Sequence, residues 1–362
     1  MHHGKVFVET PVVIIFYFAK IYYDFQLCSI DDMDKLLLSN HFKLNLKLVP
    51  PYFSRTYGVT IDISIGNEIT GLKYEVKVTY IKTIAENIRL FRLDRLTPVY
   101  INETLPDTTA DQLAAAVGEV FYPLFIEVNF EGKYLAVHNQ NEIAGRWPAL
   151  KEKISAYFTG EEATQYLNLM VEVLYDENSL NEVFRKDLFI TSYFTSLYKS
   201  YTSSFELNEN MYFPIVTNTA PVSFGTKQSL DEQFNSYGAI EIHHQGTVND
   251  ERTAEDLESG VEFPLSRFEN PDLSGAEGVY NAKYVLNPNT RSLELLVASW
   301  HMPGMRIQST EIRMFRIDEE HEHEKETLPL HSGNNLVYID GGHSGKGGIS
   351  GFLESIFGKK GR

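Results

Sequence analysis

The sequence is poor in cysteine and in positive charge. Cys28 is the only cysteine among 362 residues, which excludes an intramolecular disulfide, a four-thiolate zinc site and an iron–sulfur cluster built from one chain. The 49 acidic residues outnumber the 32 basic residues and give a net charge of −17. Because no run of Lys and Arg forms a basic face, the chain is not expected to bind nucleic acid. The single cysteine favours a cytoplasmic location over a periplasmic or secreted one.

The N-terminal apolar run is too short to cross a bilayer. Residues 11–19 supply about half of the ~20 residues that a transmembrane helix needs. No small-x-small cleavage site follows them, so a signal peptide is not favoured. Residues 1–32 are therefore set apart as an N-terminal extension, and the pattern leaves open whether they belong to the fold.

Linear motifs for catalysis and cofactors are also lacking. The chain has no G-x-S-x-G motif, and the glycines around Gly345 and Lys346 fail the phosphate-loop spacing. His321, His323 and His331 are the candidate metal ligands. They lie in a segment of nearly continuous charge, so a solvated loop is favoured over a zinc site. No cofactor is predicted, and a non-catalytic protein is favoured over an enzyme.

Aromatic residues are abundant and indicate a sheet. The chain contains 23 Phe and 21 Tyr, which favour strands and bury large areas. Residues 57–102 alternate apolar and polar positions with a period of two, which predicts antiparallel strands with one solvated face. A short helix is predicted to begin at Thr108 or Thr109, and Glu131 and Gly132 are predicted to turn a hairpin.

The middle third changes to helical spacing, and the last third returns to strands. The apolar spacing predicts one helix beginning at Pro148, a second over residues 161–175 and a third over about 187–201. Four strands are predicted, over residues 238–245, 279–286, 292–300 and 306–317. Residues 249–278 are rich in acids, Gly, Ser and Pro, and predict a long mobile loop.

This order of strands, helices and strands predicts an α+β fold. We expect one mostly antiparallel curved sheet or half-barrel, formed by the N- and C-terminal strand groups and covered by three central helices. Residues 33–340 would form one body, with a division near residue 202 as the alternative. The element order is similar to that of half-barrels that carry lipoproteins and hydrophobic ligands, an analogy that no motif supports.

A set of aromatic residues is a candidate lining for an apolar-ligand pocket. Tyrosine offers both a stacking surface and a hydroxyl, although helical spacing is more typical of core packing. The candidate residues are Tyr157, Tyr193, Tyr198, Tyr201 and Trp300.

The C-terminus contains the most specific pattern in the chain. Residues 341–348 form a glycine-rich linker, and residues 349–362 predict an amphipathic helix. Its apolar stripe, at positions i, i+3, i+4, i+7 and i+8, comprises Ile349, Phe352, Leu353, Ile356 and Phe357. Lys359 and Lys360 suit the negative end of that helix. An isolated helix of this length is marginal in water, so it should bind its own body, a second copy, a partner protein or an anionic membrane surface.

The tail pattern predicts an interaction protein or adaptor, for example a subunit of a bacterial assembly, that docks through residues 349–362. Two alternatives remain open at this point. One is a half-barrel carrier of an apolar ligand. The other is a hydrolase whose catalytic groups form no linear motif.

Overall fold

The structure, a computed structural model, describes residues 45–50, 53–317 and 337–338. Several predicted features lie outside these described residues: the extension 1–32, the histidines His321, His323 and His331, the linker 341–348 and the helix 349–362. They remain predictions.

The first strand group forms the predicted meander. It comprises β1 (Ser54–Ile65), β2 (Glu68–Ala85), β3 (Ile88–Arg95) and β4 (Tyr100–Ile101). In β1, Tyr57, Val59 and Ile61 are buried, whereas Thr60 and Asp62 are only partly covered. Because successive side chains of a strand point to opposite faces, the three buried residues define what we call the inner face of the sheet.

A helix and a hairpin follow as predicted. They are α1 (Thr109–Gly118), a 3₁₀ turn (Glu119–Phe121), β5 (Leu124–Asn129) and β6 (Tyr134–Val137). The Thr108 side chain caps α1 by accepting a hydrogen bond from the backbone N–H of Asp111, which satisfies one of the free donors at the helix start.

The helical group differs from the prediction because it contains a fourth helix, over Glu177–Arg185, and because two of the predicted helices have other bounds. It comprises α2 (Gln140–Tyr157), the short β7 (Phe158–Thr159), α3 (Glu161–Tyr175), α4 (Glu177–Arg185) and α5 (Leu188–Tyr193). Pro148 lies inside α2 and not at its start, because the turns before it bury Ile143, Ala144 and Trp147. The helix predicted over 187–201 ends at Tyr193, because the residues after it leave the helix to bridge the sheet. No helix in the described part of the chain is long and apolar enough to cross a membrane.

The second strand group contains two strands that the sequence did not predict. The group comprises β8 (Glu206–Phe213), β9 (Val222–Leu230), β10 (Ile240–Val248), α6 (Ala254–Glu258), α7 (Leu265–Glu269), β11 (Val279–Leu286), β12 (Leu293–His301), β13 (Ile307–Ile317) and β14 (Val337–Tyr338). The strands β8 and β9 were missed because Asn, Ser, Thr and Gln occupy many of their positions and obscure the apolar alternation.

The strands β1–β6 and β8–β13 join in one open sheet of 12 strands, whereas β14 pairs with β7 in a separate two-stranded parallel sheet. The order of the 12-stranded sheet is β6-β5-β3-β2-β1-β13-β12-β11-β10-β9-β8, and β4 pairs with β2. Every pairing in this sheet is antiparallel, and β1 pairs with β13 to connect the two groups. Helices pack on the sheet, so the predicted α+β class with a mostly antiparallel curved sheet is confirmed.

Residues 194–201, which we call the clasp, connect the two ends of the sheet. The backbone N–H of Tyr198 donates to the carbonyl of Glu131 in the β5–β6 turn over 2.9 Å. The Lys199 Nζ lies 3.9 Å from Glu131 Oε2 and 2.5 Å from Glu209 Oε2 on the edge strand β8. One ammonium group therefore contacts both ends of the sheet, which requires the sheet to curl around the clasp.

Candidate functional site

The predicted pocket tyrosines on the clasp and on α5 bond to the sheet. The Tyr193 hydroxyl donates to the Tyr57 hydroxyl over 3.0 Å, and Tyr57 donates to the carbonyl of Leu293 over 2.9 Å. The Tyr198 hydroxyl donates to the carbonyl of Arg291 over 2.9 Å. These bonds fasten the helical layer to β1 and to the start of β12, so the tyrosines act as packing residues.

The other pocket candidates have separate surroundings. Tyr201 is buried, and its hydroxyl donates to the Leu197 carbonyl over 3.2 Å. Trp300 is also buried and stacks on Tyr280 with ring centroids 5.2 Å apart. Tyr157, at the end of α2, packs against Phe158 with centroids 4.8 Å apart. A ligand pocket shared by the predicted residues stays a prediction.

A buried polar pair lies on the inner face beside Tyr201. His244 and Gln228 are direct cross-strand partners on β10 and β9, and they are 1% and 0% exposed. The Gln228 Nε2 donates to the Tyr201 hydroxyl over 2.5 Å, and His244 Nδ1 lies 3.0 Å from the Tyr280 hydroxyl. Within the described residues, His244 Nε2 and Gln228 Oε1 have no hydrogen-bond partner.

The charge state of His244 follows from its burial. Burial, aided by the nearby charges of Lys199 and His243, lowers the pKa of His244 to about 3, so the imidazole is neutral at physiological pH. When Tyr280 donates to Nδ1, the remaining proton is on Nε2. The pair then presents one donor and one acceptor without partners, which a single hydroxyl group or water could bridge.

A cluster of possible metal ligands on the outer face already contacts a positively charged side chain. Asp231, Glu241 and His243 bring one ligand atom each within 4.8 Å of one another. However, the Lys283 Nζ lies 2.7 Å from Glu241 Oε2, and the Asn235 amide donates to Glu241 Oε1 over 2.7 Å. These contacts favour a surface ion-pair network over a cation site. Adjacent His243 and His244 point to opposite faces of β10, as successive residues of a strand do.

The loop between β10 and β11 is built around a buried arginine. Arg252 is 5% exposed, and its guanidinium donates to both carboxylate oxygens of Asp250 over 2.9 and 2.6 Å. It also donates to the Thr219 hydroxyl over 2.9 Å and to the carbonyls of Ala220 and Pro221 over 3.2 and 3.1 Å. The guanidinium thus joins the β10–β11 loop to the β8–β9 loop.

A second set of bonds orders the same loop around Asp256. Thr253 and Asp256 form a capping box at the start of α6, and Asp256 Oδ1 accepts from the Ser266 N–H over 3.0 Å and from the Ser266 hydroxyl over 2.7 Å. Burial acts to raise the pKa of Asp256, but the bonds from Thr253 and Ser266 lower it to about 2. The loop predicted over 249–278 thus contains two short helices and buried polar contacts that the sequence pattern did not indicate, and its mobility stays a prediction.

Large apolar side chains project from this ordered loop, and we call them the apolar ridge. They are Phe263, Leu265, Phe268 and Leu273, exposed by 58%, 37%, 85% and 42%. A rim of exposed carboxylates surrounds them along the chain: Glu251, Glu255, Glu258, Glu262, Glu269, Asp272 and Glu277. The ridge has no periodic pattern in the sequence, since its apolar residues are scattered among acids, Gly and Pro.

Two grooves differ in their relation to the ridge. A groove of about 320 Å³ adjoins it and is lined in part by Ala254, Leu273, Ala276 and Pro303. A larger open groove of about 890 Å³ crosses the outer face of β8 to β11, and its lining is mostly polar. Outward polar side chains are normal for a solvated sheet face, so the ridge with its smaller groove is the stronger candidate.

No family model and no curated protein matches this chain. Among solved structures, one described as lipid–protein interactions in lipovitellin is similar, with a TM-score of 0.34 and 9% sequence identity. The similarity covers 73% of this chain and 25% of that chain, so this chain spans about a quarter of the length of its structural neighbour. A similarity at this TM-score gives no information about function.

The neutral His244 predicts an acid-sensitive stability. An unfolded histidine takes up a proton near pH 6.5, whereas native His244 does so only near pH 3. The unfolded state therefore binds more protons between these values, and the free energy of unfolding falls as pH decreases. Denaturant unfolding between pH 6.5 and 5 should show a slope that approaches about 1.4 kcal/mol per pH unit.

The His244→Phe variant should lose this contribution to the slope, although its stability at pH 7 also falls because the Tyr280 hydroxyl loses its partner. His301→Gln, at an exposed histidine, is the control and should keep the slope. An unchanged slope in His244→Phe would contradict the neutral state of this group.

Proposed function

We propose that this chain is a non-catalytic interaction protein that docks a partner on the apolar ridge. The observation that carries the proposal is the exposure of four large apolar side chains within the loop between β10 and β11. Phe268, the most exposed of them, is 85% exposed. Soluble proteins rarely expose contiguous apolar patches without a binding role. Phenylalanine in particular supplies a large buried area when a partner covers it.

The hydrogen bonds beneath the ridge order its loop, which supports a role in docking. The Arg252 guanidinium and the Asp256 carboxylate are both buried and fully engaged by neighbouring groups. A surface that is ordered before it binds loses little conformational entropy on binding. The ridge is therefore suited to specific recognition.

The acidic rim indicates the chemistry of the partner. Carboxylates around an apolar centre attract a segment whose apolar residues are flanked by Lys or Arg, and they repel like charge. The cytoplasmic face of a membrane carries a negative surface potential, so a membrane surface is disfavoured at this site. We propose a protein segment with apolar and basic residues as the occupant.

A photoreactive benzoylphenylalanine in place of Phe268, in the full chain and in its native cells, should cross-link to a second protein. The cross-linked peptide should contain apolar residues beside Lys or Arg. Adding Phe263→Asp should reduce the yield by about tenfold, because a charge at a contact centre costs about 1.4 kcal/mol or more of binding.

The matched control position is Phe315, which is 40% exposed on the outer face of β13. The same photoreactive residue there should give no such species. The docking proposal fails if both positions yield the same products, or if the species formed at position 268 is insensitive to Phe263→Asp.

A second candidate function is carriage of an apolar ligand that has one hydroxyl group. It is supported by the buried His244 Nε2 and Gln228 Oε1, which lack partners among the residues described, and by the aromatic rings around them. His244 packs against Tyr284 with ring centroids 4.8 Å apart, and Trp300 stacks on Tyr280. An apolar surrounding with one polar contact is typical of sites for such ligands.

Mass spectrometry of an organic extract from the purified full chain tests this candidate. One hydroxyl-bearing apolar compound should be recovered, and Gln228→Leu should reduce its amount several-fold because the amide acceptor is removed. Gln245→Leu, on the exposed face of β10, should retain it. Recovery of no compound from the wild-type chain would rule out carriage and leave water as the bridging group.

A further inference from the structure

The ridge and the C-terminal segment carry opposite charge. Residues 251–277 contain eight acidic residues and two arginines, a net charge of −6. Residues 346–362 contain four basic residues and Glu354, a net charge of +3. In a chain with a net charge of −17, a basic segment of this kind is attracted to acidic surfaces, and the loop that carries the ridge is one of them.

The ridge exposes large apolar side chains, and the sequence of the C-terminal segment predicts an apolar stripe. The stripe Ile349, Phe352, Leu353, Ile356 and Phe357 extends over about 12 Å if helical, and a helix of that length needs an apolar contact to be stable. The ridge exposes Phe263 and Phe268 by 58% and 85%. An amphipathic helix on an apolar surface with a charged rim is a recurrent mode of recognition.

We propose that the apolar ridge is the docking site for the C-terminal segment, residues 349–362, of this same chain. The apolar stripe covers Phe263 and Phe268, and Lys359 and Lys360 face the acidic rim. The inference rests on the proposed function and adds a regulation to it. A partner of the same chemistry has to displace this segment before it can bind the ridge.

Tethering makes the segment an effective competitor. The glycine-rich residues 341–348 reach on the order of 15 Å as a coil, and a short flexible linker gives a tethered group an effective concentration in the millimolar range. Weak contacts suffice to keep the ridge covered when the ridge lies within the reach of this linker. A partner present at micromolar concentration has to bind with correspondingly higher affinity.

The test uses the purified full chain with benzoylphenylalanine in place of Phe268. After irradiation, the main cross-link should map by mass spectrometry to residues 349–357. The double variant Phe352→Asp/Phe357→Asp should lower its yield at least tenfold. The control Gly351→Asp/Ser355→Asp adds the same two charges on the opposite side of the predicted helix and should lower the yield less than twofold. The midpoint of thermal unfolding should match among all variants, which shows that the body remains folded.

Mixing isotope-labelled and unlabelled chains shows whether the segment comes from the same molecule, as proposed, or from a second copy, which would overturn the proposal. A main cross-link elsewhere in the chain, or a yield insensitive to Phe352→Asp/Phe357→Asp, overturns it.

The two proposals fail separately. If a partner is cross-linked in cells but the purified chain shows no C-terminal cross-link, the docking function is supported and its regulation by the segment is ruled out. If the purified chain shows the C-terminal cross-link but no partner is cross-linked in cells, the segment binds the ridge and the proposed partner is ruled out.

Discussion

The buried guanidinium of Arg252 is the contact on which the functional surface depends. It joins two loops at one end of the sheet by donating to Asp250, to the Thr219 hydroxyl and to the carbonyls of Ala220 and Pro221. Without it, these carbonyls and the carboxylate would be buried with fewer partners, at a cost of about 1–3 kcal/mol for each group. The free energy needed to unfold the loop would then be smaller, because unfolding exposes these groups to water. Phe268, at 85% exposure, can contribute little to holding the loop in place.

The clasp explains why the surface is favoured over the interior as the functional site. Its residues fill the concave inner face, and Lys199 contacts Glu131 and Glu209 at the two ends of the sheet. The hydroxyls of Tyr193 and Tyr198 are committed to the sheet, to Tyr57 and to a backbone carbonyl. A half-barrel that carries ligands needs open space in this position. In the described residues the chain itself occupies that space, and the unpartnered atoms of His244 and Gln228 are the exception.

Much of the fold could be predicted from the sequence, because alternation and helical spacing report directly on burial. The alternation along β1 identified its buried face, and the Thr108 cap located the start of α1. The loop of 249–278 could not be predicted, since its order depends on a guanidinium whose acceptors lie about thirty residues away in sequence. For the same reason the ridge was missed: Phe268 has no neighbours at regular spacing, and its exposure depends on the tertiary contacts beneath it. The sequence identifies the tyrosines as candidates, but residue type and spacing cannot distinguish a hydroxyl that bonds to the sheet from one that lines a pocket.

Hydrogen–deuterium exchange of Arg252→Met and Arg252→Lys measures directly whether the buried guanidinium orders the loop that carries the ridge. Amides of residues 253–277 should exchange at least a hundredfold faster in Arg252→Met, a loss of about 2.7 kcal/mol of local protection, while β1 and β13 keep their protection. Arg252→Lys should behave similarly, because one ammonium cannot reach acceptors on both loops. Unchanged protection of residues 253–277 in both variants would show that the ridge does not depend on the buried guanidinium and would contradict the account.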